Sequence, residues 1–423
     1  METANKESTT NSGTQANEAK SELQKDGENK SFFLKKLNIF FAFLFIFLNV
    51  FAIYYFENNI KKPVFLSPFI ADLGTTLSSA TESGKPKKII GFLPSWQIAK
   101  KVVVYPDNLD ELIFFDLEVD ENGNLKKYDD DGYGLAGWTY LESDYFSSLA
   151  EESKAKGVNL VLALTCFDNE TIDKIISNSV STQNLINQLK PLIAKYEFTG
   201  INIDFEYIPV TDFPTRKYFT KFLETVSKAF KQDNPGFIIS VDVYANSVLH
   251  DQPYDIAALG KHADEIIVMG YDFYRTTSTT AGPVAPLRSE KSDKNITETL
   301  KVIYSKVERE KIILGVPFYG YEWQTATEEY KSPTYPGSGA LATIKRVKEL
   351  LEDTKVEKFW DRITMTPYLV YKSAGTIKQI YYEDESSLAL KNQLVNQLEI
   401  GGIAIWALGY EGDNPKLWEV FEH

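Results

Sequence analysis

The sequence predicts an α/β fold: a closed (β/α)8 barrel, the TIM-barrel architecture, with a small α+β insertion between its seventh and eighth strands and a single transmembrane helix ahead of it. Three observations carry that reading. Eight short apolar runs alternate with amphipathic stretches from Lys88 onward. The interval between the seventh and eighth runs is too long for one helix. Residues 37–56 form an apolar stretch without a charge, placed behind a polar segment.

In chain order, residues 1–36 are rich in Asn, Thr, Glu, Lys and Ser, and the first 31 are nearly free of large apolar side chains. Such a segment buries too little to offset its ordering entropy, so it is expected to be a disordered tail. Leu37 to Phe56 follows; at 1.5 Å per residue it reaches about 30 Å, the thickness of a bilayer's hydrocarbon core. A buried core helix or a cleaved signal peptide fits less well, because the preceding polar region is long and no A-x-A site follows. Lys25, Lys30, Lys35 and Lys36 precede the run, whereas Lys61 and Lys62 follow it. This bias puts the N-terminus in the cytoplasm and the rest outside, with Tyr54 and Tyr55 at the outer interface. Residues 57–87, with Pro63, Pro68 and many Ser and Thr, read as a tether.

The barrel is expected over residues 88–423. Its runs are KIIGFLPSW, LDELIFFDLEV, VNLVLALTCF, TGINIDFEYI, FIISVDVY, EIIVMGYDFY, KIILGVPFYGYEW and GGIAIWALGY. Strands buried on both faces and spaced by helices such as 182–196 and 218–232 point to a closed parallel sheet. An open doubly wound sheet is disfavoured, since no glycine-rich phosphate loop follows the first strand. The insertion, about 324–384, contains an amphipathic helix near Ala340–Glu352.

Composition removes several function classes. A net charge of −14 argues against nucleic-acid binding, which rests on clustered Lys and Arg. Cys166 is the only cysteine, so no intramolecular disulfide forms. Histidines at 250, 262 and 423 cannot supply a His-rich metal site, and they disfavour a histidine-dependent metal or Ser-His mechanism. No metal and no cofactor is expected.

Chemistry concentrates in TGINIDFEYI. Side chains alternate along a strand, so Asn202, Asp204 and Glu206 share one face while Ile201, Ile203 and Phe205 share the other. The helix-facing side of a barrel must be apolar, so the polar trio points into the lumen at the strand's C-terminal end. Asp204 near Glu206 is expected to raise the glutamic acid's pKa. An internal hydrogen-bond network with no catalytic use is the competing reading.

Thr199 to Glu206 align without a gap on D-G-x-D-x-D-x-E, the fourth-strand signature of glycoside hydrolase family 18, the chitinase family, which the chain resembles over about residues 88–423. VMGYD (268–272), LGVPFYGYEW (314–323), YYEDESSLALK (381–391) and GGIAIWALG (401–409) are similar to further motifs of that family, in order. The resemblance implies a retaining hydrolysis assisted by the substrate, outside the usual two-carboxylate scheme. It makes Glu206 the acid, Asp204 the partner of the sugar's acetamido N–H, and Tyr271 a donor to the acetamido oxygen. Asp272, Trp406, Met269, Phe92, Tyr319 and Asn202 become candidate substrate contacts, with Trp406 as the floor beneath the sugar. The implied partner is a polysaccharide of β-1,4-linked N-acetylglucosamine, either chitin-type or the glycan of peptidoglycan. A catalytically silent sugar-binding relative is the alternative.

Two departures from the pattern stand out. Thr199 and Asn202 replace the signature's first two aspartates, and the third-strand S-x-G-G is absent around ALTCFD (163–168). An Asn at the second position resembles the branch acting on peptidoglycan, including spore-cortex enzymes. Its amide is expected to donate to Asp204 and keep that carboxylate ionised.

Overall fold

The computed structural model describes residues 87–208, 214–290, 292, 294–353 and 355–421. The expected tail, the apolar run 37–56 and nearly all of the tether therefore lie outside the described residues. Among the described residues, no helix is long and apolar enough to cross a membrane.

Eight parallel strands close into a barrel. They are β1 (Lys88–Pro94), β2 (Glu111–Glu118), β3 (Asn159–Cys166), β4 (Gly200–Phe205), β5 (Ile238–Tyr244), β6 (Glu265–Met269), β7 (Ile312–Pro317) and, after five further strands, β13 (Gly402–Trp406). Around the ring the order is β1-β13-β7-β6-β5-β4-β3-β2. Each apolar run became a strand because both of its faces are covered. On β4, Ile201, Ile203 and Phe205 point outward and are buried. The Phe205 ring stacks at 5.6 Å on Phe222, from the helix Thr215–Lys231. That helix buries Phe219, Phe222, Leu223, Val226 and Phe230, a helical stripe, while its lysines face water.

Inside, Ile90, Phe92, Ile113, Phe115, Val161, Ala163, Ile267, Ile313 and Ala404 pack into one apolar cluster, with Trp406 against it. The inward positions of β4 and β5 break this lining: Asn202, Asp204, Ser240 and Asp242 are polar and buried. At the opposite end, Lys88 opens β1 and its ammonium pairs with Glu111 (2.7 Å) and with Glu265, which open β2 and β6. The charged plug and apolar belt leave the strands' C-terminal ends as the polar face.

The seventh run, expected as one strand, is two. After β7, the chain leaves the barrel and continues as β8 (Tyr319–Thr325), which pairs antiparallel in a second sheet. Phe318 marks the turn-off, its N–H donating to the Trp406 carbonyl at 2.8 Å. Gly320 permits the new pairing, since a Cβ there would stand 1.9 Å from the Tyr381 carbonyl oxygen. The second sheet also holds β9 (Ala340–Thr343), β10 (Glu357–Asp361), β11 (Thr366–Ser373) and β12 (Thr376–Tyr381), in the order β10-β11-β12-β8-β9. The helix expected near Ala340–Glu352 starts only at Ile344, where the Thr343 hydroxyl caps it by accepting from Arg346 N–H. Val347 of this helix packs on Leu369 and Ile380, giving the insertion its own small core.

Candidate active site

Period-two alternation places Asn202, Asp204 and Glu206 in the lumen as expected, at rising levels of β4 and just beyond it. Asn202 and Asp204 are buried, whereas Glu206 is only partly so. The end of the strand is held from outside by Tyr254, fully buried, whose hydroxyl donates to the Phe205 carbonyl and accepts from Tyr207 N–H at 3.1 Å. Glu206 N–H donates to the Cys166 carbonyl at 3.0 Å, fixing the residue at the cleft mouth. The Tyr244 hydroxyl, at the end of β5, donates to Glu206 Oε2.

The cleft encloses about 430 Å³ over the strands' C-terminal ends. Glu206, Asp204, Tyr271, Asp272, Met269, Tyr319 and Trp406 all line it, so the expected residues from β4, β6, β7–β8 and β13 converge. The Asp272 backbone is left-handed (φ 60°), and its Oδ1 accepts from the hydroxyls of Tyr319 (2.5 Å) and Tyr321 (2.9 Å). Trp406 is partly exposed and meets Phe115 edge-on at 4.7 Å, with Trp96 at 6.2 Å completing an aromatic wall.

Phe92 and Asn202 are placed differently from the sequence reading. Phe92 lies in the lumen's apolar cluster beneath Trp406, ring centroids 5.6 Å apart, and does not line the cleft. The Asn202 amide does not donate to Asp204. It donates to Ser240 Oγ (3.0 Å) and Asp242 Oδ1 (2.9 Å) on β5. Register explains this: Asn202 stands beside Ser240, while Asp204 is two residues up the same strand, about 6.6 Å away by the strand rise.

The electrostatics follow. Burial pushes the Asp204 carboxyl well above the ordinary carboxylate range, and Asp242, Glu206 and Asp116 add repulsion. Asp204 is thus not kept ionised by an amide, contrary to expectation. Its Oδ1 is buried and has no hydrogen-bond partner among the described residues. Asp242 is pushed up to about 8, again by burial first, with the Asn202 amide holding it back. The Glu206 pKa is raised as expected, but burial is the main cause, and Asp272 supplies the repulsion in place of Asp204. The Tyr244 hydrogen bond and the Arg275 charge partly offset it.

The site residues missed from the sequence include Asp116, Asp242, Tyr244 and Arg275. Asp242 and Tyr244 were legible, since FIISVDVY puts Ser240, Asp242 and Tyr244 on one face as TGINIDFEYI does for its trio. Asp116 was not: simple alternation sends it outward with Phe114. A register shift between Phe114 and Leu117 lets it reach the cleft, where it accepts from the Thr165 hydroxyl; burial pushes its pKa up to about 6. Arg275 sits in the loop after β6, and among the described lining residues it is the only cation, against Asp116, Glu118, Asp204, Glu206, Asp242 and Asp272. Among the described residues, no His, Cys, Asp and Glu cluster is arranged for a metal ion.

Comparison with known proteins bears on this geometry. The family profile described as glycosyl hydrolases family 18 matches residues 88–411. A Bacillus subtilis (strain 168) protein described as an uncharacterized glycosylase, YvbX, is 28% identical over 259 residues, covering 60% of this chain and 69% of its own. Among solved structures, the Ostrinia furnacalis Group IV chitinase in complex with allosamidin superposes with a TM-score of 0.68 at 20% identity, covering 79% of this chain and 97% of that one. The spore cortex-lytic enzyme SleL of Bacillus megaterium QM B1551 gives 0.64 at 21% identity, covering 81% and 74%. At these identities the structural likeness is one of fold.

Proposed function

The chain belongs to glycosyl hydrolases family 18 and is a glycoside hydrolase, and we propose that it cleaves β-1,4-linked N-acetylglucosamine-containing polymers with retention, using the substrate's own acetamido group as nucleophile. The observation that carries this reading is the pairing of two unlike carboxyls. Glu206 is partly exposed, hydrogen-bonded by Tyr244 and raised in pKa, which suits an acid. Asp204 is buried beside it and offers an oxygen without a partner among the described residues, which suits an acceptor.

In the proposed reaction the Glu206 proton passes to the glycosidic oxygen as the bond to the anomeric carbon breaks. The acetamido oxygen forms the new bond to that carbon, giving an oxazolinium ion. Asp204 Oδ1 accepts the acetamido N–H. As positive charge grows on the acetamido group, that N–H becomes a stronger donor, so the Asp204 contact stabilises the transition state more than the ground state while Asp204 keeps its own protonation state. Tyr271 donates to the acetamido oxygen, Asp272 contacts the neighbouring hydroxyls, and Trp406 forms the apolar floor. Water then opens the oxazolinium ion, with Glu206 accepting its proton.

Both polymer types named by the relatives, chitin and spore cortex, fit this chemistry, since both carry the required acetamido sugar. Glu206→Gln keeps the shape and removes the proton, so activity on a chromogenic N-acetylglucosamine oligomer should fall at least about a hundredfold while sugar binding persists. Near-normal turnover would refute the assignment.

The proposal also places the enzyme at the cell membrane, anchored through residues 37–56, N-terminus inside and barrel outside. Its support is the length of the uncharged run and the lysine bias. Protease added to intact cells should then release the barrel by cutting in the tether at 57–87. A barrel that stays protected until lysis would reverse the orientation.

A further inference from the structure

Beside the cleft lies a second pocket of about 350 Å³, which shares Tyr244, Tyr271, Asp272 and Arg275 with it. It opens on the β5–β6 side of the ring, across the barrel from β1 and the Trp96 wall. Its size is at the small end of ligand pockets, enough for about one sugar residue.

The far end of the cleft and this side pocket differ in charge. Toward β2 and β3 the cleft carries Asp116 and Glu118 and no cation among the described lining residues, although Glu118 pairs with Lys126 at 3.5 Å just outside it. The side pocket reverses the balance: among its described lining residues, Arg275 and Lys294 face a single carboxylate, Asp272. Arg275 is held in place: its guanidinium carbon lies 5.6 Å from the centre of the Tyr244 ring, and Nε donates to the Asp272 carbonyl at 3.3 Å. The Asp272 carboxylate is 4.0 Å from that same Nε. The two terminal nitrogens make no hydrogen bond among the described residues, and they form the fork that matches a carboxylate. Lys294 is exposed and forms no ion pair among the described residues.

We infer that this side pocket selects a carboxylate-bearing amino sugar next to the one being cleaved, with Arg275 and Lys294 receiving the carboxylate. The inference rests on the hydrolase reading above and narrows its substrate class: a polymer whose acetamido sugars alternate with sugars bearing an acidic ether or peptide arm, rather than a uniformly neutral one. Tyr244 links the pocket to the acid, because the same ring carries Arg275 on its face and Glu206 on its hydroxyl.

The test uses the full-length chain and two tetrasaccharides of alternating N-acetylglucosamine and N-acetylmuramic acid. One has free lactyl carboxylates; the other has them as carboxamides, so only charge differs. Binding is measured by calorimetry in the Glu206→Gln background, alone and with Lys294→Gln or Arg275→Gln added. The acid form should bind about tenfold tighter than the amide, the size of one partly exposed charge-assisted contact. Each added substitution should shrink that ratio, and so should high salt. Equal affinity for the two forms in the Glu206→Gln protein overturns the inference, as does a ratio unmoved by both substitutions. Turnover of the acid tetrasaccharide and of neutral N-acetylglucosamine tetramer by the unaltered chain is followed separately. If neither is cleaved, the hydrolase reading fails while the binding ratio still decides the anion preference.

Discussion

Tyr244→Phe isolates one hydrogen bond at the acid. The substitution removes the hydroxyl that donates to Glu206 Oε2 and keeps the ring on which Arg275 rests. That bond favours the carboxylate over the acid and so opposes the effect of burial on the Glu206 pKa. A hydrogen bond to a charged group contributes about 1.5–3 kcal/mol, and about 1.4 kcal/mol corresponds to one pKa unit. Both side chains are partly exposed, so the lower end applies and the pKa should rise by about one unit. A general acid works while protonated, and its activity is lost as pH rises through its pKa. The high-pH limb of kcat/KM should therefore move up by about one unit in the variant, with a lower rate at the optimum because the carboxyl is no longer held. The carboxyls here titrate together, so the informative quantity is the displacement between two profiles measured on one soluble oligosaccharide. A limb that stays in place, or moves down, would show that Tyr244 does not set the protonation of the acid.

Asn202→Asp removes the amide that donates to Asp242 and puts a third carboxyl in the buried lumen. Asp242, already near 8, should titrate higher still. A carboxyl whose pKa is higher folded than unfolded costs stability increasingly as pH rises between those two values. The variant should therefore lose about 1–3 kcal/mol, more at about pH 8 than at about pH 5, read as the difference in Tm from the unaltered chain at each pH. Lys391→Met should be more damaging, because Lys391 Nζ and Glu383 Oε2 pair at 2.6 Å with both side chains fully buried. Stranding Glu383 should cost about 3–5 kcal/mol in denaturant unfolding, and the paired change Lys391→Met with Glu383→Leu should recover much of it. A single variant as stable as the parent would mean that water reaches Glu383.

The sequence by itself determined which segments become strands and which faces they bury. Alternation is a local property of extended backbone, so the eight runs became the barrel and Asn202, Asp204 and Glu206 turned inward together. The helical stripes at 182–196 and 218–232 were equally local: the first falls within Ser179–Tyr196, and the second matches Thr215–Lys231 up to its C-cap Gln232. What alternation cannot report is which residues on different strands stand level. That depends on register around the closed ring, and it sent the Asn202 amide to Asp242 and Ser240 instead of Asp204. A register shift on β2 brought Asp116 to the cleft against its alternation, and the chain's departure from the barrel after Pro317 carried the Tyr319 and Tyr321 hydroxyls to Asp272. The protonation of the acids was decided last, because it depends on burial, a sum over everything packed around each carboxyl. Asp204 and Glu206 are neighbours on one strand, yet one is sealed in the lumen and the other half-open to water, and only the assembled barrel makes that difference.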